Sequence, residues 1–198
     1  MLHGTSTRVE AMVEVEKAIR AGLLQLAESY AIHWPAAGRN DAGERNLSLH
    51  VALGLREAGF ITLAEPNFPR NTEAGVELIG LQPGAGVLAV VECKRLFSGE
   101  QAAALLADAA RLEAFVLSDE FGPPPQVRHR VGVLLASTFL ANFATWWVEA
   151  AGGAPPGVPA TEPWEDLVAI VGSDACWGCL PLDRKHGYYG LYVVWPLP

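Results

Sequence analysis

The chain is poor in several features at once, and each shortage narrows what it can be. It has three cysteines, Cys93, Cys176 and Cys179. That is too few for a disulfide scaffold and fits a reducing compartment, so a cytoplasmic location is expected. No apolar run reaches the length of a membrane span, and Met1 to Arg8 lacks the basic-then-apolar order of a secretory signal, so no membrane partner is expected. Basic residues are also scarce: 14 Lys and Arg stand against 22 Asp and Glu, for a net charge of −8. This argues against a broadly basic nucleic-acid surface, because phosphate neutralisation normally supplies most non-specific affinity. It leaves local groups only, at Arg70, Lys94-Arg95, Arg128-His129-Arg130 and Arg184-Lys185-His186. There is no Gly-rich phosphate loop, internal repeat or serine elbow, and His3, His33, His50, His129 and His186 are scattered, so no nucleophilic triad is evident.

What is present is apolar. At 198 residues and 51% hydrophobic content the chain suits one well-buried α/β domain covering 1–198. Thr7-x-x-Glu10 is a capping box, and Met12, Val15, Ile19, Leu23, Leu26 and Tyr30 follow at steps of three and four, predicting a helix over 8–32. Leu47, Leu49, Val51, Leu53 and Leu55 alternate as a strand would, yet a helix ending at Gly59 also accommodates them if both of its apolar faces are covered. Strands are expected at 60–64 and 130–137, helices over 98–117 and 139–151, a linker at 152–163, and strands at 167–171, 178–182 and 190–195. Ser98-x-x-Gln101 reads as a second capping box, and Trp146-Trp147 as core packing rather than base stacking. The order implies a central mixed sheet flanked by helices, with C-terminal strands over 164–198 extending it.

The densest chemistry lies between Gly75 and Leu96. Val76 to Leu81 and Val87 to Val91 are short apolar runs separated by Pro83-Gly84-Ala85-Gly86, a β-hairpin pattern. A reversal centred between Gly84 and Ala85 opposes Glu77 to Glu92, Ile79 to Val90 and Leu81 to Leu88. Lys94 then joins the two carboxylates on one face. Carboxylates crowded among aliphatic side chains repel one another and lose hydration unless a cation compensates. Oxygen ligation of this kind suits Mg²⁺ or Mn²⁺, with a lysine alongside to orient or deprotonate water and to neutralise charge on phosphorus.

This arrangement resembles the PD-(D/E)XK, or restriction-endonuclease-like, nucleases. An acidic residue early in one strand precedes Glu-x-Lys late in the next, here Glu77 and Glu92-Cys93-Lys94. Glu44-Arg45 opening a segment that ends Arg56-Glu57-Ala58-Gly59-Phe60 is similar to the first core helix of the Holliday-junction resolvase branch, which favours helix over strand there. The resemblance spans about 43–137. It implies an α/β fold with an αβββαβ core, an extra N-terminal helix and C-terminal strands. It also implies a metal held by Glu77, Glu92 and the Cys93 carbonyl, with Glu44 reaching the site, and makes Gln101 a possible functional glutamine. The partner implied is nucleic acid, DNA in the first instance; of the local basic groups, Arg70, Arg95, Arg128 and Arg130 are the expected contacts. Val76-Glu77 replaces the usual Pro-Asp, and the resolvase-type Gly-Ser-Gly loop is absent.

Two other readings compete. A nuclease-like fold retained as a protein-interaction module, binding a partner protein or forming a homodimer, suits the acidic balance. The Cys176-Trp177-Gly178-Cys179 pair suggests redox or zinc chemistry, but it lacks a second ligand pair beyond His186 and sits in a strand-like context, so a structural role is expected.

Overall fold

A computed structural model describes residues 7–32, 43–65, 75–98, 101–117, 125–149, 155–157 and 162–198. Helix α1 (Arg8–Ile32) starts at a complete capping box. The Thr7 N–H donates to Glu10 Oε2 at 2.6 Å, and the Glu10 N–H to Thr7 Oγ1 at 3.2 Å. Helix α2 (Glu44–Glu57) ends in a Schellman turn. There Gly59, at φ +86°, donates to the Arg56 carbonyl, and Phe60 to the Leu55 carbonyl.

The alternating leucines of α2 resolve into two stripes. Leu47, Val51 and Leu55 are buried, whereas Leu49 and Leu53 are 55% and 42% exposed, so the second face is not covered by any described residue. The two helices cross at glycine. A Cβ on Gly22 would lie 2.4 Å from the His50 carbonyl oxygen, and one on Gly54 2.3 Å from that of Ala18.

Strands β1 (Ile61–Ala64), β2 (Leu78–Gln82) and β3 (Val87–Arg95) form an antiparallel meander. The expected hairpin register holds within the ladder, with Ile79 opposite Val90 and Leu81 opposite Leu88. Helix α3 (Ala102–Ala114) then carries the chain to β4 (His129–Thr138), parallel to β3. Helices α4 (Ala141–Glu149) and α5 (Glu162–Val171) precede the antiparallel pair β5 (Cys176–Asp183) and β6 (Tyr188–Pro196). The result is one six-stranded mixed sheet in the order β1-β2-β3-β4-β6-β5, so the C-terminal strands extend the central sheet through β6 and β4.

Residues 167–171, expected as a strand, belong to α5. A five-residue apolar run does not distinguish strand from helix. Here Pro163 and two glutamates in the first turn favour the helix, and Trp164, Leu167 and Val171 form its buried stripe.

Alternation along β3 feeds two cores. Val87, Ala89, Val91 and Cys93 pack with α1 and α2, while Leu88 and Val90 pack with α3, α4 and α5. The second core holds Trp146, Trp147 and Trp164 edge to face, with the Trp147 indole N–H donating to the Tyr192 carbonyl at 2.8 Å. These tryptophans pack the interior, as expected. On the other face Tyr192 anchors α1, its hydroxyl donating to Glu16 and accepting from Arg20, each at 2.9 Å. No helix among the described residues is long and apolar enough to cross a membrane.

Candidate active site

β2 stops at Leu78, opposite Val91, so β3 runs on for four residues, Glu92 to Arg95, past its described β2 partner. That overhang opens a cleft of about 590 Å³ lined by Glu44, Arg45, Glu65, Gly75, Val76, Glu77, Glu92 and Arg111. Glu44, the first residue of α2, accepts a hydrogen bond from the Arg95 N–H at 3.1 Å and ties the helix to the end of β3. Glu65 sits at the end of β1 with φ +44°. For a side chain with a Cβ this left-handed conformation costs about 1–2 kcal/mol. It is offset in part by the Glu65 N–H donating to the Glu77 carbonyl at 2.7 Å.

The placement of Glu77 differs from the expected one. Glu77 lies one residue before β2, where the chain bends and strict alternation fails, and its carboxylate is set beside Ser48, Glu44 and Glu65 on the α2 side. Glu92 stays in the alternation and points toward α3. The two carboxylates therefore meet one cleft from two sides instead of standing side by side on one sheet face. Lys94 shares the Glu92 face, as expected, and its ammonium lies 3.2 Å from Asp108 Oδ2.

The electrostatics follow from burial. Burial, then the neighbouring Asp108 charge, lifts the Glu92 carboxyl to about 7 against the pull of Arg111 and Lys94. Burial also raises Glu77, reinforced by Glu44 and Glu65 and opposed by Ser48 and Lys94. Burial alone would lower Lys94, but Asp108, Glu92 and Glu44 outweigh it, so the ammonium is held above its ordinary value and stays charged.

Glu77 and Glu92, both raised chiefly by burial, line the cleft with Glu44 and Glu65, a donor set that a hard cation would relieve. No group of three or more His, Cys, Asp or Glu among the described residues is arranged to enclose an ion. Mg²⁺ does not need such a cage: it keeps several waters and uses one or two carboxylates together with substrate phosphate. The residues thus fit a hydrated Mg²⁺ or Mn²⁺ and do not fit an ion ligated wholly by protein.

Sequence reasoning missed Asp108 and Arg111, which neutralise this region. Arg111 Nη2 donates to Glu92 Oε1 at 3.1 Å and also to Asp108 Oδ1. The signal was an acid on the buried stripe Leu105, Asp108, Ala109 and Leu112 of α3. Gln101 caps instead of reaching the cleft: its Oε1 accepts from the Ser98 N–H at 3.0 Å and from that of Phe97.

Of the expected nucleic-acid contacts, Arg70 lies outside the described residues. Arg95 is at the cleft end of β3, its guanidinium 5.4 Å from the centre of the Phe97 ring. Arg128 and Arg130 are displaced from the site, which corrects the expected basic surface. Parallel pairing sets Arg130 beside Leu88, about 20 Å along the strand from Lys94 at roughly 3.3 Å per residue. Arg130 also donates to the carbonyls of Glu113, Phe115 and Pro198, a structural use. The turn bearing Arg184, Lys185 and His186 is at the cleft end of the sheet, since Arg95 pairs with Ser137, Ser137 with Gly190 and Gly190 with Leu180.

Cys176 packs on the α1 and α2 side of the sheet and Cys179 on the other, as residues three apart on a strand must. His186 is bonded to Asp183 at 2.8 Å. The two thiols thus share neither an ion nor a disulfide. Compared with known protein families, characterised proteins and solved structures, the chain matches none.

Proposed function

We propose that the cleft hydrolyses phosphodiester bonds in DNA with the help of Mg²⁺ or Mn²⁺, in the manner of the PD-(D/E)XK nucleases. The observation that carries the reading is the convergence of Glu44, Glu77 and Glu92 on one cleft beside the end of β3, in a chain whose α2, β1, β2, β3, α3 and β4 succeed one another in the order of that family's core. Glu77 and Glu92 would hold the ion, with the Cys93 carbonyl and Glu44 in support. Bound there, it would lower the pKa of a water and offset phosphate charge.

The chain's own residues do the rest. Lys94, kept protonated by its acidic neighbours, is a charge partner for the pentavalent phosphorus and an orienting donor to the attacking water, not a proton acceptor. Arg95 and the Arg184-Lys185 turn supply positive charge at the same end of the sheet.

The test is cleavage of single-stranded, duplex and branched DNA at low salt with either metal. Lys94→Gln is expected to slow cleavage by at least about 100-fold. Because it also removes a cation from the buried Asp108, the melting temperature should fall, and the comparison is made at a temperature where circular dichroism shows the variant still folded. One observation favours a second reading, a catalytically inactive interaction module: Glu92 and Lys94 are already paired internally, with Arg111 and Asp108. Wild-type protein that leaves all three substrates intact would select it.

A further inference from the structure

Glu92 and Asp108 are 4% and 2% exposed, and Arg111 is the cation that binds both. It does so with one nitrogen. Nη2 serves Glu92 and Asp108 together, while the Arg111 Nε is buried with no hydrogen-bond partner. An arginine built to stay on a carboxylate normally uses two parallel N–H bonds of its fork. A bridging nitrogen with a stranded Nε is under-satisfied, and an unmade buried donor costs about 1–3 kcal/mol. The two acids are not equivalent either, because Asp108 has a second cation in Lys94. Glu92 and Arg111, in turn, both face the cleft, and the Arg111 side chain is 31% exposed.

We propose that Arg111 is a resident counter-ion, occupying the cation seat of Glu92 until a divalent metal exchanges with it. This rests on the reading of the cleft as a Mg²⁺ or Mn²⁺ site. On exchange, Glu92 trades a singly charged, half-bonded partner for a doubly charged one. Arg111 keeps Asp108 and turns its unmatched donors to the water of the cleft. Arg111 therefore sets the metal affinity by competition, as a positioning residue of the site.

Titration of the full-length protein with Mn²⁺ tests this directly, by calorimetry or electron paramagnetic resonance. Arg111→Gln should bind Mn²⁺ at least about tenfold more tightly than wild type. Arg111→Lys, which restores a cation, should return toward the wild-type value, and Glu92→Gln should weaken binding. In wild-type protein the NMR resonance of the Arg111 Nε–H should move and exchange faster with solvent as Mg²⁺ is added, a readout that survives if the variants fold poorly. Wild type that binds Mn²⁺ while Arg111→Gln binds it equally or less well, or an Nε–H resonance unmoved at saturation, overturns the exchange and leaves the metal site standing. Absence of binding by wild type and variant alike at millimolar Mn²⁺ overturns both.

Discussion

At the residue scale the decisive group is Glu92, a carboxyl lifted to about 7 chiefly by burial. Its ordinary value is 4.5, so the folded state holds its proton more tightly than the unfolded one. The stabilising contribution of that proton is complete below 4.5 and is lost as pH rises toward 7. Glu92→Gln removes the titration while keeping the shape and an acceptor for Arg111. In metal-free buffer the variant should match wild type in urea melts at pH 4 and exceed it at pH 8, by roughly 2–3 kcal/mol. Equal stability at pH 8 would mean that the Arg111 pair outweighs burial. On the proposed reading Glu92 must be ionised to ligate the metal, so Mg²⁺-dependent cleavage should also climb between pH 6 and 8.

At the element scale the packing of α1 on α2 depends on what is missing from Gly22 and Gly54. Added methyl groups there would meet backbone carbonyls, which cannot rotate away. Gly22→Ala should therefore cost about 1–3 kcal/mol or more, whereas Gly84→Ala, with open space around it and no positive φ, should be close to neutral in the same denaturation series. Since α2 carries Glu44, the first variant should also loosen the cleft. Much at this scale was legible in the chain. The capping box at Thr7, the Gln101 half of the one at Ser98, the Gly59 stop and the Ile79–Val90 register are local rules written in adjacent residues. What was not legible depended on partners distant in sequence. The stripe of α2 that would stay exposed, the bend that turns Glu77 toward Ser48, and the use of Asp108 and Arg111 against Glu92 and Lys94 are all decided by tertiary packing. The helix at 162–171 was missed because a five-residue apolar run has no period of its own.

For the whole molecule, the proposed DNA substrate has to be reconciled with a net charge of −8, and the placement of the basic residues bears on it. The parallel β3–β4 pairing sends Arg128 and Arg130 to the far end of the sheet, while Arg95 and the exposed Arg184 and Lys185 collect at the cleft end. With Arg45 on the cleft wall, about four phosphates would then be neutralised. At a slope near 0.9 per phosphate, DNA affinity should fall on the order of 100-fold between 50 and 200 mM salt, against the roughly 10³–10⁵-fold expected for six to ten contacts. Replacing Arg184 and Lys185 together by glutamine should lower the magnitude of the log–log slope by about two, while Arg128→Gln should leave it unchanged. Binding measured by fluorescence anisotropy across a salt series separates these outcomes. A steep slope, or one that responds to Arg128, would place the nucleic acid at the other end of the sheet, away from Glu92 and Lys94.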